Sequence, residues 1–191
     1  MRSSLPRTKK FASLEEEAAA GSGMRFEHAM IAMHAGIALG SNLGEREVRM
    51  EEALSFLRRL SKGGHFLRSS LWKSDPVDCP PGSGEFLNAV AEIDWDGSPE
   101  DLLAALLAFE SRAGRLPPEK RLRNSPRPVD LDLLYCGKLV RSSPGLILPH
   151  PRLANRIFVL GPLAEIEPHL CLPGFSRTVK ELYDRLREDH S

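Results

Sequence analysis

Cysteine is scarce in this chain, charge of either sign is not in excess, and no apolar run is long. Each shortage removes a class of protein. The 191 residues include three cysteines, Cys79, Cys136 and Cys171, odd in number and far apart, with no zinc-ligand spacing. That excludes a disulfide framework and leads us to expect reduced thiols in a cytoplasmic protein. Lysine plus arginine and aspartate plus glutamate each total 26, so the formal net charge is zero. Neither a nucleic-acid coat nor a membrane surface is therefore an expected partner. The longest apolar stretch, near Met30 to Leu39, is about half a transmembrane span, and no basic n-region with a cleavage site frames it. Internal repeats are absent as well.

What is present suits one soluble domain: 41% hydrophobic and 27% charged residues, with length enough for a single core. Residues 1–30 differ from the rest. Ser3-Ser4, Lys9-Lys10 and Glu15-Glu16-Glu17 stand among few core-forming residues, and the acids argue against a transit peptide. An N-terminal extension without a packed fold is expected over 1–30, followed by one domain over 31–191.

The periodicities give an order of elements. Ile31 to Leu39 is short, apolar and strand-like, and Gly40-Ser41-Asn42-Leu43-Gly44 turns the chain, with Ser41 or Asn42 expected to cap the next helix. Met50, Ala53, Leu54 and Leu57 follow at helical spacing and stop before Gly63-Gly64. Residues 65–73 suit a strand. In 86–95, Leu87, Ala89, Ala91, Ile93 and Trp95 alternate on one face. Ser98-Pro99-Glu100-Asp101 opens a second helix with an N-cap serine and proline at N1, and Gly114 suits its end. A strand over about 128–135 completes βαββαβ. The expected class is α+β: a ferredoxin-like core, an antiparallel sheet with two helices on one face, plus C-terminal additions. The additions include helical stretches near Leu160 to Ile166 and Thr178 to Arg187.

Inside that last strand, Pro126-Arg127-Pro128-Val129-Asp130-Leu131-Asp132 sets two acids on one face, with Val129, Leu131 and Leu133 on the other. Two residues apart they stand roughly 6–7 Å from each other. At an effective dielectric near 20 they repel by roughly 2–3 kcal/mol. A cation between them relieves that cost, and paired hard oxygens without cysteine or histidine beside them favour Mg²⁺. A solvated strand end paired with arginines explains the same spacing.

Residues 112–127 supply such arginines: Arg112, Arg115, Lys120, Arg121, Arg123 and Arg127 against the single acid Glu119. A basic flap beside an acidic pair suits a polyphosphate, which arginines clamp while Mg²⁺ bridges it. Alone, the segment reads equally as a solvated loop or a weak RNA-binding arm. His150, Arg152 and Arg156 lie in a proline-punctuated loop able to reach the same phosphates. Phe86 and Asn88 share a strand face where an aromatic and an amide can hold a flat heterocycle, or where Phe86 can simply pack. Gly40–Gly44 lacks the lysine and the glycine spacing of a nucleotide-binding P-loop.

Taken in order, these segments resemble the 6-hydroxymethyl-7,8-dihydropterin pyrophosphokinases of folate biosynthesis, from about Ala38 to Pro168. The resemblance is carried by Gly40-Ser41-Asn42-Leu43-Gly44, Phe86-Leu87-Asn88-Ala89, Glu110 ahead of Gly114-Arg115, and Pro126-Arg127-x-x-Asp130-Leu131-Asp132. It continues in Pro149-His150, Arg156-x-Phe158 and Gly161-Pro162-Leu163. It implies an ATP-dependent transfer of pyrophosphate to the pterin hydroxymethyl group, with release of AMP. By position, Asp130 and Asp132 would bind two Mg²⁺ ions. Arg115 and Arg127 would join them as catalytic residues, and Glu110, Arg121 or Arg123, His150 and Arg156 would contact ATP. Asn88 and the backbone near Ser74 and Val77 would read the pterin edge, with Phe86 and Phe158 sandwiching its ring. A monomer is expected.

Departures sit upstream. Asn124-Ser125 stands where the family usually has Trp-Gly, the flap runs about two residues longer, and Leu107 replaces a polar helix residue. Three other readings stay open at this point: another two-metal phosphate enzyme, a ferredoxin-like ligand- or RNA-binding module, and a family member kept for regulation.

Overall fold

Leu87, Ala89, Ala91, Ile93 and Trp95 line one face of strand β4 (Phe86–Trp95), and that face floors the larger hydrophobic core. The computed structural model describes residues 32–120 and 124–189. On one edge β4 pairs antiparallel with β1 (Met33–Ser41), which pairs antiparallel with β5 (Asp130–Cys136). Its other edge carries β2 (Phe66–Arg68) and then β3 (Trp72–Ser74), giving the order β2-β4-β1-β5 with β3 also on β4. The sheet is thus mixed with helices in an α+β arrangement and is antiparallel throughout these pairings.

Helix α1 (Arg46–Leu60) lays Met50, Ala53, Leu54 and Leu57 on the β4 core face, and α2 (Pro99–Arg112) adds Leu102 and Leu106. The α2 start follows the sequence signal: the Ser98 hydroxyl accepts the Asp101 N–H at 3.0 Å, with Pro99 at N1. Gly114, one residue past the Ala113 C-cap, takes φ +94°, a left-handed conformation that glycine adopts without steric cost.

Three features depart from the sequence reading or go beyond it. The strand expected over 65–73 is broken at Ser69, whose hydroxyl accepts the Val90 N–H at 3.0 Å in place of a backbone carbonyl. The ladder is interrupted there and resumes at Trp72. Neither Ser41 nor Asn42 caps α1; its N-cap is Glu45, which makes no side-chain capping bond. Finally, α1 and α2 share one face as expected, while the C-terminal helices, which the sequence does not place, cover the other. Helices α3 (Ile157–Ile166) and α4 (Val179–Glu188) close a second core in which Val159, Leu160, Leu163 and Val179 meet Val90, Leu134 and Tyr135.

A register shift between Gly36 and Ile37 of β1 adds a further β5 side chain to this second core. It leaves Leu133 in the first core and both Leu134 and Tyr135 in the second, an irregularity that period-2 counting does not foresee. The hairpin β6 (Arg141–Ser143) and β7 (Leu146–Leu148) is too short to show a period and was not expected. All three cysteines are free thiols. Among the described residues no helix is long and apolar enough to cross a membrane. The extension expected over residues 1–30 lies outside the described residues.

Candidate active site

Asp130 and Asp132 enter β5 opposite Gly40 and Ala38 of β1, so small residues floor the space beneath them. Val129, Leu131 and Leu133 point the other way into the first core, which fixes the two carboxylates on the opposite face. Three arginines meet them. Arg127 Nη2 lies 2.6 Å from Asp130 Oδ2, Arg156 Nη1 donates to Asp132 Oδ2 at 2.7 Å, and Arg115 donates to both Asp130 and Glu110. The Nε atoms of Arg115 and Arg127 are buried without a hydrogen-bond partner among the described residues. Two enclosed guanidinium groups therefore each hold an unused donor, the arrangement an oxyanion completes.

The electrostatics follow from this crowding. Burial alone would raise the Asp132 carboxyl, but the hydrogen bond and charge of Arg156, with the charges of His150 and Arg152, hold it below its usual value. Glu110 behaves oppositely. Burial pushes it up to about 7, with Asp130 adding to the rise, against the opposing pull of Arg115 and the Leu131 N–H. His150 is lowered by burial, with Arg156 and Arg152 reinforcing the effect and Asp132 opposing it. Its Nδ1 accepts the Arg152 N–H at 3.2 Å, which leaves the ring proton on Nε2.

Three concavities share the aspartates. One is a cavity of about 290 Å³ lined by Ser74, Val77, Phe86, Asn88 and Phe158 together with Asp130 and Asp132. Arg127 lies over the Phe86 ring at 5.2 Å and Arg156 over the Phe158 ring at 5.9 Å, so each aromatic carries a cation on its way to the carboxylates. Asn88 Nδ2 donates to Ser74 Oγ at 2.9 Å and to the Trp72 carbonyl at 3.3 Å. Those bonds leave its Oδ1 as the free acceptor of a 4%-exposed amide. A second groove runs under α2, between Leu103, Leu107 and Glu110 on one side and Ile147 and His150 on the other. The third lies along the flap, where Arg115, Arg127, Arg152 and Arg156 surround both aspartates.

Every described residue that the resemblance implied for the site falls on these surfaces, Arg121 and Arg123 lie outside the described residues, and the flap cations Arg112 and Lys120 line none of the three. Residues that the motifs did not single out also matter. Arg152, already noted in its proline-rich loop, borders both the cavity and the flap groove. Asn42 Oδ1 accepts the Arg127 N–H at 2.9 Å and the Ser41 hydroxyl donates to the Pro128 carbonyl at 2.6 Å, so the turn holds the arginine loop rather than capping α1. Asn124 takes φ +55° and donates to the Asp78 carbonyl at 2.8 Å, joining the flap to the 74–84 loop. A short polar side chain tolerates that conformation better than most. The sequence marks Asn42 as a candidate helix cap and Asn124 as a break in the family pattern, and neither signal tells which distant loop the side chain ties down.

As a donor set, two carboxylates on one face with no thiolate beside them fit Mg²⁺ rather than a soft metal.

Residues 36–168 match 7,8-dihydro-6-hydroxymethylpterin-pyrophosphokinase (HPPK). The chain belongs to this family. It is 41% identical over 137 residues to the 2-amino-4-hydroxy-6-hydroxymethyldihydropteridine pyrophosphokinase of Pseudomonas aeruginosa, covering 72% of this chain and 82% of that one. With the enzyme of the same name from Bacillus subtilis it shares 38% over 130 residues, or 68% and 75% of the two chains. A mitochondrial folate synthesis bifunctional protein of Pisum sativum is 40% identical over 134 residues, 68% of this chain but 24% of that one. The fold is shared with Plasmodium falciparum HPPK-DHPS, at a TM-score of 0.62 and 13% identity, over 83% of this chain and 45% of that one. This chain spans less than half of that structure.

Proposed function

We propose that this chain is a 2-amino-4-hydroxy-6-hydroxymethyldihydropteridine diphosphokinase, transferring pyrophosphate from ATP to 6-hydroxymethyl-7,8-dihydropterin in folate biosynthesis. The observation that carries the assignment is the position of Asp130 and Asp132, which border an aromatic-amide cavity, an arginine groove and a groove under α2 at once. A two-metal nuclease has no use for the first of these, and a binding module has none for the acids.

The pterin occupies the cavity, its ring between Phe86 and Phe158 and its edge against Asn88 and the backbone near Ser74 and Val77. ATP lies with its nucleoside toward Glu110 and His150 and its phosphates along Arg115, Arg127 and Arg156, with Arg121 or Arg123 contributing from the flap. The hydroxymethyl oxygen attacks the β-phosphorus, the bond from that phosphorus to the α-phosphate oxygen breaks, and AMP leaves while the hydroxyl proton passes to solvent. Little covalent chemistry is asked of the protein, so positioning and charge neutralisation are its contribution. Arg115 and Arg127 line the flap groove and turn their guanidinium charge toward the phosphate oxygens. Two Mg²⁺ ions, held by Asp130 and Asp132, would neutralise phosphate charge and lower the pKa of the attacking hydroxyl.

We further take residues 31–191 as one domain of a ferredoxin-like plan, working as a cytoplasmic monomer without nucleic-acid or membrane partners. The strand order β2-β4-β1-β5, with α1 and α2 on one face, supports the plan.

The test is AMP release from ATP with Mg²⁺, in the presence and absence of the dihydropterin alcohol. AMP should appear when both substrates are supplied, and folded protein that releases none would overturn the assignment.

A further inference from the structure

Glu92 has no part in that chemistry, yet it is 1% exposed, in β4 on the same face as Asn88. Four residues further along the strand, it stands about 13 Å from the pterin cavity's amide. A carboxylate so enclosed requires compensation. Its ion-pair partners are two histidines. Glu92 Oε1 lies 2.8 Å from His65 Nε2 and 3.3 Å from His34 Nδ1, and the two rings stack with centroids 4.2 Å apart.

We propose that His34, His65 and Glu92 bind one divalent transition-metal ion of the zinc class, separate from the Mg²⁺ site at Asp130 and Asp132. The three ligand atoms lie within 4.8 Å of one another. A metal held about 2.0–2.2 Å from each ligand needs separations of roughly 3–3.5 Å; the 3.3 Å from Glu92 to His34 lies in that range and the 2.8 Å to His65 just below it. His34 is the half-exposed ring and the one that turns inward to complete the set. Two imidazoles and a carboxylate suit zinc better than magnesium.

The surroundings are those of a built site. The Tyr135 hydroxyl donates to Glu92 Oε2 at 2.6 Å, orienting the carboxylate so that Oε1 faces the rings. His34 Nε2 lies 3.4 Å from Asp94 Oδ1, a carboxylate behind the imidazole of the kind that orients a metal-bound histidine. Gly36 makes room for the tyrosine, since a Cβ there would fall 2.2 Å from Tyr135 Cε1. Glu167 lies within electrostatic range of Glu92, His34 and His65, and brings a further carboxylate to the neighbourhood. The ion would join β1, β4 and the entry to β2, clamping the sheet away from the substrates.

Calorimetric titration of the full chain with Zn²⁺, after chelator treatment and in excess Mg²⁺, tests this. One Zn²⁺ should bind per chain, Co²⁺ in its place should give the visible absorption of a low-coordinate site, and Zn²⁺ should raise the melting temperature. His34→Asn and His65→Asn should each weaken binding by about tenfold or more, whereas Asp130→Asn should leave it unchanged. Should His65→Asn fail to fold, His34→Asn decides, because that ring is half exposed. No stoichiometric binding, binding that survives loss of the histidine, or binding abolished by Asp130→Asn would each overturn the site.

Discussion

Asn42 and Arg127 clasp each other through two hydrogen bonds. The Asn42 side-chain oxygen accepts the Arg127 N–H at 2.9 Å, and the Asn42 N–H donates to the Arg127 carbonyl at 3.2 Å. The turn after β1 thereby sets the backbone from which Arg127 reaches Asp130. Asn42→Ala leaves the Arg127 N–H without its acceptor, at about 1–3 kcal/mol. Activity should fall together with stability, read as AMP release and as the denaturant midpoint. Asn42→Asp keeps the acceptor and should restore most of the rate. A rate in the alanine variant equal to wild type would remove Asn42 from the site's supports.

Asp130 and Asp132 lead to a second expectation, in which spacing and structure pull in opposite directions. From spacing alone, neutralising one acid relieves repulsion and stabilises the protein. With Arg115, Arg127 and Arg156 in contact, the loss of a carboxylate instead strands half-buried cations. Asp130→Asn and Asp132→Asn should each lower the rate by about a hundredfold or more. Each should also destabilise by about 1–3 kcal/mol without added metal, Asp130→Asn the more because it serves two arginines. Melting curves of both variants without Mg²⁺, beside AMP release with it, check the pair of claims; a gain in stability would restore the simpler repulsion argument.

Much of this site was legible because its signals are local. Two acids at strand spacing, a serine-proline helix start and an alternating β4 are each written within ten residues, and each took its expected form. What was not legible depends on distant partners. The break at Ser69 depends on Val90, the role of Asn42 on Arg127, and the shift that sends both Leu134 and Tyr135 to the second core on Gly36. The placement of α3 and α4 over the second face also needed three dimensions, because a short apolar helix does not say which surface it covers. The Glu92 cluster is of the same kind: His34, His65 and Glu92 are far apart in sequence and meet because three strands are neighbours.

Glu110 makes stability depend on pH. Its carboxyl is raised from 4.5 to about 7, with burial as the leading cause. A raised acid is stabilising while protonated in both states; the unfolded chain ionises first as pH rises past 4.5, so stability drains away until about pH 7. Asp132, whose carboxyl is lowered, acts below that window, its contribution being lost as pH falls through its folded value. Between pH 5 and 7.5 wild type should therefore lose stability that Glu110→Gln does not lose. Parallel chemical denaturation of the two proteins across that range measures the difference, and equal slopes would mean that Glu110 is ionised throughout, held by Arg115 and the Leu131 N–H.

Gly161 gives a test of how α3 sets the cavity proposed for the pterin. A Cβ at Gly161 would fall 2.4 Å from the Trp72 ring, and the indole cannot retreat freely because its Nε1 donates to Glu165 Oε1 at 2.6 Å. Helix α3 therefore rests directly on β3, and that contact sets the distance between Phe158 on the helix and Ser74 on the strand, both of which line the cavity. Gly161→Ala forces the two elements apart and should destabilise by about 1–3 kcal/mol as an overpacked core does. Because the displaced residues line the cavity proposed for the pterin, KM for the dihydropterin alcohol should rise more than KM for ATP. Replacing Trp72 with a smaller apolar residue in the same variant should recover part of the stability. Steady-state kinetics in both substrates and the denaturant midpoint decide the matter: an alanine variant with wild-type values in both would mean that helix and strand are not in fixed contact.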